Sequence, residues 1–300
     1  MSVFQLILPD FILISLGWLL YRRLNFGAEF FKSAEKLVYF LLFPSLLFYN
    51  ITRSPLDFGN ALSLFQAIAL LMMAGIVIVW AAKPLLKPQA LAYASLAQCA
   101  YRFNTYIALS LAGTLAGPEG ATTMAVLIGF AVPIANIAAV QSLARHGAGN
   151  PLREIAQNPL ILGTVAGLAW NFSGLPVHDV VATTLSRLGS CALAIGLICV
   201  GASLSLQGIN NSRPMMAWVL VLKLAITPVL ALIIGAVLQL SHVERQILLL
   251  FSALPTAPSA YVLAVRMGGD GRLVAVTVTL GTLLSALTIP LWLLVGSYFL

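Results

Sequence analysis

Residues 246–265 read QILLLFSALPTAPSAYVLAV, twenty residues without a charge. An α-helix rises about 1.5 Å per residue, so a run of this length matches the roughly 30 Å hydrocarbon core of a bilayer. Its middle is not helix-forming. Pro255-Thr256-Ala257-Pro258-Ser259 places two prolines three residues apart, which removes two backbone donors and obstructs the preceding turn. Pro255 is the tenth residue of the run, about 15 Å deep and near the bilayer midplane. Unwound backbone at that depth is tolerated only where protein or a water-filled cavity satisfies the freed groups. A lone proline would only kink the helix. The pair, flanked by Thr256 and Ser259, predicts a break whose half-helix ends carry partial charges of about half a unit.

The rest of the chain sets this run in context. Of its 300 residues, 60% are hydrophobic and 8% charged, against roughly 25% charged in a soluble domain. Apolar runs lie near Val3–Tyr21, Leu37–Ile51, Ala61–Ala82, Leu91–Ala116 and Ala121–Leu143. Five more lie near Asn158–Phe172, Val180–Leu206, Met215–Leu240, Gln246–Val265 and Val274–Phe299. This predicts an all-α integral membrane protein with ten transmembrane helices. The net charge of +7 lacks the basic stripe with interleaved aromatics of a nucleic-acid binder. Eleven basic residues, from Arg22 to Arg272, fall in connectors 1–2, 3–4, 5–6, 7–8 and 9–10. The opposite side holds Arg53 and Arg245, with Arg187 at a membrane edge. By the positive-inside rule both termini then lie outside the cytoplasm, in a cytoplasmic (inner) membrane. The first run is followed, not preceded, by its charges Arg22 and Arg23, so it reads as a retained span rather than a signal peptide. Cys99, Cys191 and Cys199 fall inside spans without metal-site spacing and are expected as buried free thiols. No cofactor or metal is called for.

An offset of about 150 residues brings the two halves into register. Leu8-Pro9 matches Asn158-Pro159, Gly17 falls on Gly167, and Gly117-Pro118-Glu119-Gly120 resembles Gly268-Gly269-Asp270-Gly271. Each half holds five spans, an odd number, so the halves lie in the membrane with opposite orientation, a plan characteristic of secondary transporters. The expected organisation is a first repeat at 1–144, a cytoplasmic linker at 145–157 and a second, inverted repeat at 158–300.

Spans four and nine occupy equivalent places, and both look interrupted. Span four carries Tyr101-Arg102-Phe103-Asn104-Thr105 at mid-depth. A mid-membrane arginine costs about 2.5–3.5 kcal/mol or more, so it faces a cavity or a partner. Arg102 either meets a ligand or pins helix C-terminal carbonyls. Lys223, about ten residues into span eight with Thr227-Pro228 one turn on, either snorkels to the interface or stands as a fixed or titrating cation at the crossing. No histidine or deep carboxylate pair offers a proton relay.

These residues resemble a bacterial member of the auxin efflux carrier family, which includes malate- and malonate-permease-like proteins. The resemblance is carried by Leu42-Phe43-Pro44-Ser45-Leu46-Leu47-Phe48, by Arg102-Phe103-Asn104-Thr105-Tyr106-Ile107, by the Lys223…Pro228 spacing and by the Pro255-x-x-Pro258 pair. It implies two inverted five-helix repeats in a bile-acid sodium symporter-like fold, with broken helices 4 and 9 crossing at the substrate site. Spans 1, 2, 6 and 7 would form a scaffold, through which some members dimerise, and spans 3–5 and 8–10 an elevator-type transport domain. The implied cargo is a small organic anion. Arg102, Asn104, Thr105, Thr256, Pro258, Ser259, Pro44 and Ser45 are the candidate substrate residues, and Lys223 is a candidate to replace a coupling sodium ion. Plant relatives have a proline near the span-four crossover, which this chain lacks.

Other function classes fit poorly. An intramembrane enzyme needs a nucleophile–base pair or metal cluster at membrane depth, and the spans offer none. A receptor or scaffold protein needs soluble domains that the short connectors cannot contain. A drug/metabolite exporter with its own ten-helix plan fits the length but not the breaks. Reporter-enzyme fusions test the topology: connector 1–2 is expected to report cytoplasmic and connector 2–3 external, and a cytoplasmic signal from connector 2–3 inverts the orientation.

Overall fold

The computed structural model describes residues 3–53, 58–143, 159–204 and 212–299, and all regular structure among them is helical. The proposed linker at 145–157 lies outside the described residues. Helix α1 (Val3–Arg22) is followed by α2 (Ala28–Leu37), which runs through a π turn at Val38–Leu42 into α3 (Phe43–Thr52). Then come α4 (Phe58–Ala81), the short α5 (Lys83–Leu86) and α6 (Ala90–Ala97), which ends in a 3-10 turn at Gln98–Ala100. Helix α7 (Thr105–Leu143) bends at Ala116 and Gly117, the latter at φ 60 and ψ −150, where glycine and the following Pro118 turn one arm into the next.

In the second half, α8 (Pro159–Ser173) and α9 (Asp179–Ser203) precede α10 (Arg213–Val221), a π turn at Leu222–Ile226 and α11 (Thr227–Val237). Helices α12 (His242–Ala253), α13 (Ser259–Arg266) and α14 (Gly271–Phe299) complete the chain. Among the described residues five helical stretches are long and apolar enough to cross a membrane: Leu62–Leu86, Ala90–Leu143, Asp179–Ser203, Arg213–Val237 and Gly271–Phe299.

Apolarity alone places the start of the second run too late. The helix begins at Ala28, nine residues before Leu37, because α2 carries Glu29, Lys32, Glu35 and Lys36 and hydropathy does not register it. Both π turns precede a proline at the second position of the next helix, Pro44 and Pro228. A proline cannot donate to the carbonyl four residues back, and a π turn re-registers the ladder around it. At Pro228 the freed Leu224 carbonyl instead accepts Trp292 Nε1 at 2.7 Å, and the Lys223 carbonyl accepts Thr227 Oγ1 at 2.8 Å.

The helices pack in two groups. Helix α1 lies along α9, and α3 along α8 and α9; a second group joins α4, α7, α11, α12 and α14. Glycine permits the closest approaches of the first group. A Cβ on Gly17 would stand 1.9 Å from the Ile198 carbonyl oxygen, and one on Gly201 1.8 Å from that of Ile14. Gly163 and Gly167, four apart on α8, meet Pro44, Phe48 and Ile51 of α3 in the same way. Without a strong hydrophobic drive between helices in lipid, small residues that bring backbones together supply the van der Waals contact. Cys99 and Cys199 are buried as expected, whereas Cys191 is exposed, because it sits on the outward face of α9.

Gly17→Ala and Gly201→Ala are each expected to destabilise the purified protein by about 1–3 kcal/mol, as overpacking does. Gly27→Ala, with nothing within 4 Å of the new Cβ, is expected to fall within about 0.5 kcal/mol. Thermal unfolding in detergent reads the contrast, and equal shifts at all three positions would refute the tight-contact explanation.

Candidate functional site at two broken helices

The interruption in the first half spans residues 101–104, between the 3-10 turn and α7; that in the second spans 254–258, between α12 and α13. The two breaks bond to each other. Asn104 N donates to the Pro255 carbonyl at 2.8 Å, and Thr256 Oγ1 donates to the Cys99 carbonyl at 2.6 Å. Gln98 Nε2 reaches the Ala260 carbonyl at 3.1 Å, and Asp270 N donates to Ser95 Oγ at 2.7 Å. Partners rise along one segment as they fall along the other, so the interrupted segments run antiparallel. Each supplies partners for backbone groups that the other's unwinding frees.

Asn104 has two roles through one side chain. Its Oδ1 accepts Tyr106 N at 3.0 Å and Ile107 N at 3.3 Å, capping α7 by the usual Asn mechanism. Its Nδ2 is buried with no hydrogen-bond partner among the described residues, as is Gln98 Oε1. Thr105 is the first residue of α7, Pro258 lies in the turn before α13, and Ser259 opens α13. The N-termini of α7 and α13 therefore both begin at the crossing, with positive dipole ends there.

Arg102 is 9% exposed. Its Nη1 donates to Ser259 Oγ at 3.1 Å and its Nη2 to Asn136 Oδ1 at 2.8 Å, tying span four to α13 and to the second arm of α7. Asn136 is a member of the site that sequence reasoning missed. The available signal is an amide inside the run Val132-Pro-Ile-Ala-Asn-Ile-Ala-Ala-Val140, where lipid-facing asparagine is unfavourable.

Lys223 is 4% exposed, its Nζ 5.9 Å from the centre of the Phe251 ring. Phe103 also packs on that ring, with 4.5 Å between the ring centres. Lys223 borders a cavity of about 10 Å³ with Gly75, Ala100, Tyr101, Thr227 and Ser252, space for about one water. The structure thus brings Lys223 to the edge of the span-four break. Pro44 and Ser45 stand further off. Ser45 Oγ donates within its own helix to the Leu41 carbonyl at 2.7 Å, and Pro44 abuts Gly163. Their link to the crossing runs through Phe43, whose ring lies 4.7 Å from that of Tyr106.

Residues 145–293 match the model of a family described as membrane transport protein. This half of the chain belongs to the membrane transport protein family, that of the auxin efflux carriers. Two relatives align almost end to end. A Rhizobium meliloti (strain 1021) protein named "Putative malonate transporter" is 26% identical over 95% of this chain and 92% of its own length. An "Uncharacterized transporter" of Methanothermobacter thermautotrophicus is 24% identical over 96% of each. Family membership and the long apolar helices together describe a multi-pass membrane protein.

Asn136→Ala removes a neutral acceptor from a buried cation. It is expected to lower stability by about 1.5–3 kcal/mol, the range for hydrogen bonds to charged groups, in detergent unfolding. No change would mean that Arg102 does not depend on this bond for its position.

Proposed function

We propose that the protein is a secondary transporter that moves a small organic anion, a mono- or dicarboxylate, across the cytoplasmic membrane. One observation carries the reading. The crossing gathers two helix N-termini, the Arg102 guanidinium and the uncommitted Asn104 Nδ2 into a positive, donor-rich centre that suits a carboxylate. The name of the Rhizobium relative makes malonate the first cargo to test.

The architecture we infer is ten spans in two inverted five-helix repeats, with both termini outside the cytoplasm. Shifting the Gly17–Ile198 contact by 150 residues gives Gly167 against Phe48, a contact also present. That correspondence supports exchange of spans 1 and 6, and of 7 and 2, by the repeat. The two packing groups support a fixed scaffold of α1, α3, α8 and α9 against a moving set that holds the crossing, as elevator-type alternating access requires. Where α7 meets the first group, the Tyr106 ring packs on Phe43 and on Gly196, whose missing Cβ leaves room for it.

Lys223 is the proposed stand-in for a coupling sodium ion, since a fixed ammonium supplies the positive charge that a bound sodium ion would otherwise bring. In proteoliposomes, malonate counterflow is expected to be insensitive to replacement of sodium by potassium at fixed pH and voltage. A steep rise with sodium would overturn that assignment. Arg102→Ala is expected to abolish carboxylate transport and the thermal stabilisation that malonate confers. Unchanged transport would remove Arg102 from the site.

A further inference from the structure

Three arginines depart from the charge bias that orients the chain: Arg53, Arg187 and Arg245. Arg245 is accounted for locally, since its Nε donates to the Leu240 carbonyl at 2.8 Å and its stem packs on Gly235. The other two converge. Both line a cleft of about 320 Å³, together with Tyr49, Asp179, Thr183 and Ser186. Positions 179, 183, 186 and 187 share one face of α9, and Tyr49 and Arg53, one turn apart, face them from the end of α3.

The cleft suits an oxyanion. Arg53 Nη1 donates to the Tyr49 hydroxyl at 2.9 Å, with the guanidinium 5.5 Å from the ring centre, which leaves its remaining donors available. Among the described residues the ion pair within 4 Å is that of Lys32 with Glu29, so neither cleft arginine is paired with Asp179. Two cations against one acid leave a net positive cleft with hydroxyl donors along its wall.

Its level in the membrane identifies the class of anion. Asn171 Nδ2 donates to the Ile51 carbonyl at 2.8 Å, which fixes the end of α8 beside the end of α3, two residues before Arg53. Trp170 and Phe172, flanking Asn171, are 38% and 49% exposed, as aromatics at the headgroup level are. Arg187 is exposed eight residues into α9, about 12 Å along its axis from Asp179, on a helix that also exposes Val180 and Val181. A guanidinium on such a surface is costly unless it extends toward the interface and meets an anion.

We propose that this cleft binds the phosphate of an anionic phospholipid headgroup, bracketed by Arg53 and Arg187 with Thr183 and Ser186 as further donors. The site lies on the α3–α9 face, away from the crossing, and does not depend on the identity of the cargo. Native mass spectrometry and thermal shift of the full chain in mild detergent test it, with phosphatidylglycerol, phosphatidylcholine and inorganic phosphate as probes. Phosphatidylglycerol is expected to be retained and to stabilise the protein more than the other two. Arg53→Gln/Arg187→Gln is expected to weaken its binding about tenfold or more, and Arg272→Gln to leave it unchanged. Should the double variant fail to fold, Arg187→Gln alone is expected to show weakened binding. Undiminished retention in the arginine variants overturns the proposal. Equal stabilisation by inorganic phosphate also overturns it, in favour of a soluble oxyanion. An arginine-dependent dimer without retained lipid overturns it in favour of a second copy of the chain.

Discussion

A backbone group freed from its helix inside a membrane has no water to turn to, and the centre of this protein is organised around that constraint. Unwinding residues 101–104 alone, or 254–258 alone, would strand amides and carbonyls. Laid antiparallel, the two breaks complete each other. The Asn104 amide takes the Pro255 carbonyl and the Thr256 hydroxyl takes that of Cys99. The placement of α7 and α13, and hence of Asn104 and Arg102, follows from this mutual satisfaction. It also explains why the second break needs prolines and the first does not. Pro255 and Pro258 enforce unwinding, whereas span four is held open by the Asn104 cap and by bonds that the proline-broken segment offers.

The two kinds of helix contact divide the remaining structure. In the first group glycines place backbone against backbone at Gly17, Gly201 and Gly163, contacts that tolerate little displacement because packed interiors leave no slack. Between the groups, one contact is that of the Tyr106 ring with the Phe43 ring and with the bare backbone of Gly196. A ring lying on a ring and a bare glycine resists sliding less than backbone seated against backbone. This contrast supports assigning motion to the group that holds the crossing.

Much of this was legible in the sequence, and the parts that were not have physical reasons. Helix positions followed hydropathy, with the exception of α2, whose charged first turns belong to the same helix as the apolar run after it. The proline pair announced the second break, and Arg102 announced the first, since each is expensive in an uninterrupted lipid-facing helix. Asn136, Gln98 and Ser95 were harder to see. A single amide or hydroxyl in an apolar run is a weak signal, and its meaning depends on what the fold brings opposite. Pro44 and Ser45 belong to the most recognisable motif of span two, yet their structural part is the π turn and the seat for Gly163. A motif can be distinctive because of packing alone.

The two readings of Arg102 that the sequence leaves open are compatible in the structure. Ser259 and Asn136 fix the guanidinium by hydrogen bonds, which is the work of a structural pin. Both of these partners are neutral, so the two bonds hold the guanidinium in place without discharging it. They orient a charge inside a low-dielectric interior, where its attraction for an anion is far stronger than in water. Lys223 adds a second buried cation beside the same break. Two buried cations at one break are what the proposed carboxylate cargo would meet.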